Sequence, residues 1–466
     1  MVFSNLFFLY IFLPLLLILY FIGKDDAYRR GVLIVFSLLF YAWGEPICVF
    51  VMIGLVLLDY AMGLLISRAD TKSMKKTWLV VAVIANLGVL CFYKYLGFFI
   101  ENINTVFRTS LPTLDIKMPI GISFFTFQTM SYVIDVYRGD TEVQRSFSKL
   151  LLYVSLFPQL IAGPIVRYKD IEMQLDNRHV TAEKINDGLF RFAIGLGKKA
   201  VIADACAVAV KSLNDLADVT LLGRWTSAVF FTLQLYFDFS GYSDMAIGLG
   251  KMFGFDFLEN FNYPLTATSA TDFWRRWHMS LGSFFRDYVY IPLGGNRRMQ
   301  WRNIIIVWFL TGLWHGASWN FVLWGLYYAV LLVIEKKFLL GVFKKMGKGL
   351  RFVVTHLYTI FITVFGFAIF YFEKDLFKNL GYLFGVGCKG FTDIFTNAVL
   401  VDNIVLFIAA ALLACPIFKA LTKPVRDDVP YEYSRIIKTL VVIALIGVST
   451  IKLVGDTYSP FLYFRF

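Results

Sequence analysis

Asn303-Ile-Ile-Ile-Val-Trp-Phe-Leu-Thr-Gly-Leu-Trp-His-Gly-Ala-Ser-Trp-Asn-Phe-Val-Leu-Trp-Gly-Leu-Tyr-Tyr-Ala-Val-Leu-Leu-Val-Ile-Glu335 is an apolar run with basic residues on both flanks. Arg297, Arg298 and Arg302 precede it, and Lys336, Lys337, Lys344, Lys345, Lys348 and Arg351 follow. Short loops rich in lysine and arginine stay on the inner side of a membrane, so both ends of the run belong there. The run must enter and return within roughly 33 residues, whereas two full crossings and a turn need more than about 40. Residues 303–335 therefore read as a short hairpin, with a turn from Gly312 to Asn320 inside or near the far edge of the membrane. His315 falls in that turn, roughly 18 Å above the inner end at a rise of about 1.5 Å per residue.

The chain has only four histidines, and a second one, His278, lies in Asp272-Phe-Trp-Arg-Arg-Trp-His-Met-Ser-Leu281. An ionisable ring at membrane depth is costly, which makes each a candidate functional residue. Imidazole is also the side chain best suited to taking and returning a proton near neutral pH. The plainer alternative for His315 is a polar cap on a helix turn, bonded to a backbone carbonyl.

Composition supports a membrane setting for the whole chain. Of 466 residues, 58% are hydrophobic, 18% aromatic and 17% charged, with a mean hydropathy of +0.66. A soluble domain carries about a quarter charged residues, so an all-α polytopic integral membrane protein is expected. The net charge of +12 sits in short loops between apolar runs, which points to anionic lipid headgroups and not to nucleic acid. The five cysteines show no paired spacing, so neither a disulfide framework nor a thiolate metal site is expected. The N-terminus lacks a basic n-region and a small-residue cleavage site, and reads as a retained first span.

Crossing helices are expected over 4–22, 31–43 with 46–66, 78–100, 147–166, 185–210, 224–250, 352–372, 398–418 and 437–454. Stretches 117–137 and 303–335 are less regular. Breaks such as Ala162-Gly-Pro-Ile165 survive at membrane depth only when buried or lining a wet cavity. Basic segments 67–77, 272–302, 336–351 and 419–438 belong on the inner side, which puts both termini outside the cytoplasm. The crossings within 117–250 stay unassigned. Segment 262–302 mixes tryptophan, tyrosine and arginine, and is expected to form helices in the inner interface. It also suits an inner lip that binds a phosphorylated or carrier-bound donor through Arg275, Arg276 and Arg286.

Six motifs carry a more specific resemblance. They are Pro119-Ile-Gly-Ile-Ser-Phe-Phe-Thr-Phe-Gln128, Phe157-Pro-Gln-Leu-Ile-Ala-Gly-Pro-Ile165, Tyr236-Phe-Asp-Phe-Ser-Gly-Tyr-Ser-Asp-Met-Ala-Ile-Gly-Leu249, Phe273-Trp-Arg-Arg-Trp-His-Met-Ser-Leu281, Tyr290-Ile-Pro-Leu-Gly-Gly-Asn296 and Leu310-Thr-Gly-Leu-Trp-His-Gly-Ala317. In this order the chain resembles the membrane-bound O-acyltransferases, in their alginate O-acetylation branch. The resemblance implies one membrane domain over 1–466, with about 11 transmembrane helices plus re-entrant and interfacial helices around a central funnel. It implies a catalytic His315 and a second polar position at His278. The tail, within 455–466, is similar to an aromatic terminal motif in which the tyrosine is implicated as an acyl relay; Tyr463 is the match. Arg465 stands where that motif has an amide, and the plainer reading of the tail is an aromatic anchor at the outer interface.

By that resemblance the protein is a bacterial plasma-membrane enzyme with no tightly bound cofactor, drawing acetyl groups from acetyl-CoA. Its expected partners are membrane lipids and a secreted SGNH-type acetyltransferase or a polysaccharide acceptor. His315 would act as general base, with His278 orienting it, binding the thioester side or returning a proton. D-alanyl transfer to teichoic acid is an alternative of the same class, and a transporter or flippase an alternative of another. The polar group Asp238, Ser240, Tyr242 and Asp244 suits either a tunnel lining or support for a broken helix.

Overall fold

The computed structural model describes residues 1–114, 116–417, 431–455 and 461–462. Among them the regular elements are all helices, and no strand is present. It divides into two compact units, Met1–Ala193 with Tyr242–Leu258, and Ile194–Gly241 with Glu259–Phe466.

In the first unit the principal helices are α1 (Asp26–Ala42), α2 (Cys48–Arg68), α3 (Lys72–Leu90) and α4 (Ile122–Arg138). The last three pack on one another around a polar rung. The fully buried Asp59 carboxylate of α2 accepts both of its bonds from Asn86 Nδ2 of α3, at 2.9 and 2.8 Å. Thr129 of α4 donates to Asn86 Oδ1 at 3.0 Å. Polar side chains away from water need such partners, and here they tie three helices in one register. The motif glycine Gly121 has φ +78° and caps the start of α4, and a Cβ there would meet the Leu160 carbonyl oxygen at 2.9 Å.

The second unit holds most of α5 (Leu221–Met252) together with α6 (Gln300–His315), α7 (Trp319–Ile334), α8 (Lys348–Tyr371) and α9 (Tyr431–Gly455). No break interrupts α5 over its 32 residues, so its polar group does not serve a broken helix. Four described helices are long and apolar enough to cross a membrane: Cys48–Arg68, Lys72–Phe107, Lys348–Tyr371 and Tyr433–Gly455. The bent pair Ile394–Asp402 and Ile404–Leu413 makes a fifth if it counts as one span. Of the other expected spans, 4–22 is the shorter apolar helix Phe8–Ile22, and 147–166 is interrupted between Ser155 and Phe157. Exposed apolar side chains such as Ile84, Ile443 and Ile451 stud the crossing helices, as a lipid face requires. The chain is a polytopic all-α membrane protein.

Residues 303–335 do form a hairpin: α6 and α7 have 16 residues each and pack closely along their length. At about 1.5 Å per residue each spans about 24 Å, short of the roughly 30 Å hydrocarbon layer. The turn is tighter than Gly312–Asn320. Helix α6 runs on through Gly312 to His315, and only Gly316 to Ser318 turn the chain. Gly312 is a contact residue and not a breaker, since a Cβ on it would lie 2.4 Å from the Phe321 carbonyl oxygen.

Segment 262–302 is irregular. It consists of short pieces, Ala270–Trp274 and Met279–Phe285 being the longest α-helical ones, joined to a π-turn at Arg286–Tyr290. Phe273, Trp277, Phe284 and Phe285 are buried within the unit. Of the basic segment 419–438, Lys419, Lys423 and Arg426 lie outside the described residues, as do Tyr463 and Arg465.

Candidate active site

His315 is the last residue of α6, and its ring is buried. Three aromatic rings wall it edge-on: Trp324 at 4.9 Å between centroids, Trp314 at 5.0 Å and Phe370 at 5.2 Å. The neighbouring helices are held in place locally. Asn320 Nδ2 donates to the Phe370 carbonyl at 2.9 Å, joining the start of α7 to the end of α8. Gly316 has extended backbone, and a Cβ there would meet the Phe321 ring at 2.2 Å. The Trp-His-Gly motif thus has a steric cause: the histidine ends the helix, and the glycine lets Phe321 fold beneath it. Phe321 in turn packs on Phe370 at 4.8 Å, one of the walls of His315.

His278 is buried in the same unit, with left-handed backbone (φ +46°) at the start of Met279–Phe285. A non-glycine residue there costs about 1–3 kcal/mol and persists only when its surroundings hold it. Asn260 does much of that holding. Its carbonyl oxygen accepts from the Ser280 N–H at 3.2 Å and the Ser280 hydroxyl at 2.9 Å, and meets His278 Nδ1 at 3.1 Å. Its backbone carbonyl takes the Met279 N–H at 2.9 Å. A backbone N–H can only donate, so the Asn260 atom that Ser280 meets is oxygen, and His278 Nδ1 must bring its own hydrogen. The ring lone pair is therefore on Nε2. Burial pushes the His278 pKa down to about 3, which keeps the ring neutral near pH 7.

The two histidines meet a common neighbour. The His278 ring lies 5.9 Å from that of Trp314, whose own ring lies 5.0 Å from His315. Beside His278 opens a cleft of about 280 Å³, with Arg275, Arg286 and Lys336 among its lining residues. Trp274 and Trp308, 4.7 Å apart, form an apolar wall, and Trp274 reaches Trp324 at 5.4 Å. Burial, and then the charge of Arg275, push the Lys336 ammonium below its ordinary pKa. An anion in the cleft would relieve that repulsion. Arg276 does not line the cleft; its guanidinium pairs with Asp272 at 3.0 Å, one turn back.

Two supporting residues escaped the sequence reading. Asn260 precedes His278 by several turns of irregular chain and carries no local signal. Glu335 opens a basic run and looks like a loop charge, yet it is fully buried. Its carboxylate accepts the backbone N–H groups of Ala270 and Thr271 and the Thr271 hydroxyl, at 2.5, 2.8 and 2.7 Å. It thereby caps the short helix that leads into Trp277 and His278. Glu335→Gln should cost about 2 kcal/mol, because one carboxylate acceptor becomes an N–H₂ facing a donor. Thermal unfolding in detergent reads this, and an unchanged midpoint would contradict the capping role.

A helical membrane body with one buried histidine at a hairpin turn and a second lining a cationic cleft is an arrangement suited to group transfer. The chain belongs to the membrane-bound O-acyltransferase family, whose family model matches residues 143–372. It is 36% identical over its full length to the whole of a probable alginate O-acetylase of Pseudomonas putida. It is 32% identical to a peptidoglycan O-acetyltransferase of Helicobacter pylori, covering 100% of this chain and 98% of that one. A teichoic acid D-alanyltransferase of Bacillus subtilis is 29% identical over 54% of this chain and 68% of its own. The protein is an O-acyltransferase of the bacterial membrane.

Proposed function

We propose that this enzyme O-acetylates an extracytoplasmic polysaccharide, taking acetyl groups from acetyl-CoA on the inner side of the plasma membrane. Full-length similarity to O-acetylases of alginate and peptidoglycan supports the acetyl group and the polymer class. The match to the D-alanyltransferase covers only about half of this chain. The observation that carries the reading is the aromatic-walled His315, joined through the Trp314 ring to His278, which lines a cleft with Arg275, Arg286 and Lys336. Guanidinium and ammonium groups suit the phosphates of CoA, and the tryptophans suit its apolar arm.

In this reading His315 is the general base. It takes the proton of an attacking hydroxyl as that oxygen bonds to the thioester carbonyl carbon; the carbon–sulfur bond then breaks, and the proton goes to the departing thiolate. Tyr463 is the first acceptor, giving a phenyl ester and free CoA. A sugar hydroxyl, or the nucleophile of a secreted SGNH-type transferase, then attacks that ester and restores the phenol. A phenol with a pKa near 10 leaves more readily than a sugar alkoxide. Both termini lie on the extracytoplasmic side in this scheme, so that the tail meets the acceptor there.

Purified enzyme in vesicles, given acetyl-labelled acetyl-CoA, should release CoA and acquire label on the C-terminal peptide, read by mass spectrometry. An active enzyme with no adduct, together with an active Tyr463→Phe variant, would reject the relay. Absence of any CoA release would reject the donor.

A further inference from the structure

A buried ion-pair cluster in the second unit belongs to neither the histidines nor the cleft. Lys199 sits in a π-helical turn, Lys198–Ala203, a local widening of the helix that recurs at functional sites. Its ammonium, 3% exposed, meets Asp238 Oδ1 and Asp204 Oδ1, both at 2.8 Å. Asp238 is buried more deeply still, and its other oxygen, Oδ2, accepts the backbone N–H of Leu462 at 2.8 Å. The carboxylate thus faces a lysine on one side and the chain's C-terminal segment on the other.

Gly241 explains why the cluster can form. A Cβ there would come within 2.8 Å of the Gly195 carbonyl oxygen and 3.1 Å of Lys198 Cβ. With only hydrogen at that position, α5 lies directly against the π-turn, and Asp238, one turn earlier, reaches Lys199. The tail is seated on the same elements. Phe461 and Leu462 are buried; Lys199 Nζ lies 6.0 Å from the Phe461 ring centroid, and Phe239 lies 6.5 Å from it. Phe239 also meets the His278 ring edge-on at 4.7 Å. One residue, Phe239, therefore touches both the seated tail and a site histidine.

We propose that Asp238 and Lys199 form a clamp that seats the C-terminal segment through the Leu462 backbone, as positioning residues for the acyl acceptor at the next residue, Tyr463. The proposal rests on the relay reading for its consequence in catalysis, but not for the clamp itself. A charged acceptor makes a backbone hydrogen bond markedly stronger than a neutral one. Lys199 fixes the carboxylate and neutralises it in a place where an isolated charge would be costly.

The test uses the full-length enzyme with its five cysteines replaced and Leu462→Cys introduced, so that maleimide labelling reports tail seating. With the clamp intact the buried position should label slowly. Asp238→Asn keeps the side-chain shape and leaves Lys199 paired to Asp204, so the body should stay folded. Labelling should rise about tenfold in that variant, and surface O-acetylation on the Leu462 background should fall about tenfold. Lys199→Gln, which removes the other half of the clamp, should do the same, and covers the case in which Asp238→Asn does not accumulate. Asp238→Glu should recover part of both effects. Unchanged labelling in folded variants overturns the clamp, whatever the activity. Increased labelling with unchanged O-acetylation upholds the clamp and overturns its positioning role. An active Tyr463→Phe variant overturns the relay reading while leaving the labelling result to stand.

Discussion

His315→Ala should lower O-acetylation by about 10²–10⁴-fold, the usual contribution of a positioned general base. Protein abundance and thermal midpoint should change little by comparison, because of the three rings around it Trp324 and Phe370 also pack on each other, at 5.4 Å. Surface acetyl content and CoA release by the purified variant read the loss, and melting in detergent reads the fold. Activity near wild type in a folded variant would remove His315 from the chemistry and leave it as the cap of α6. His278→Ala is the informative companion. A loss confined to kcat would place it with the reacting atoms, and a rise in KM for acetyl-CoA would assign donor binding to the cleft that it lines.

Gly325→Val should have the largest effect on folding. A Cβ at Gly325 would lie 2.3 Å from the Trp308 carbonyl oxygen and 3.2 Å from the Gly312 Cα. These obstacles are backbone, so no side chain can swing aside. Two helices that touch at paired small residues have to separate, at a cost of about 3 kcal/mol or more. Separation would shift Trp308 and Trp324, which pack 5.9 Å apart, and through Trp324 the wall of His315. The expected result is little folded protein, and little activity in what remains. A normal melting profile would show that the hairpin is looser than its glycines imply.

The hairpin was legible because two independent signals agree on it: basic residues at both ends, and a length too short for two crossings. Its turn is shorter than Gly312–Asn320 because Gly312 serves helix contact and the helix runs on to His315. The segment around His278 was less legible. Its tryptophans and arginines fit an interface on composition, yet Phe273 and Trp277 are stacked in the core at 5.5 Å. What commits them inward is tertiary: Glu335 reaching across the chain to cap Ala270, and Asn260 gripping His278. Neither partner is near its target in sequence, and neither sits in a periodic pattern. Arg276 illustrates the limit for charge. In sequence it equals Arg275, but a single helical turn gives it Asp272 as a partner while Arg275 lines the cleft.

The bond between Asn260 and His278 has one more consequence. With Nδ1–H committed to an amide oxygen, which is no base, a proton that arrives on Nε2 has to depart from Nε2. Kept neutral by burial, the ring offers its Nε2 lone pair as an acceptor and returns any proton at the same atom. It cannot pass one along from nitrogen to nitrogen as a wire would. Proton exchange at this ring is confined to one nitrogen, so the side chain forms no link in a relay through the protein.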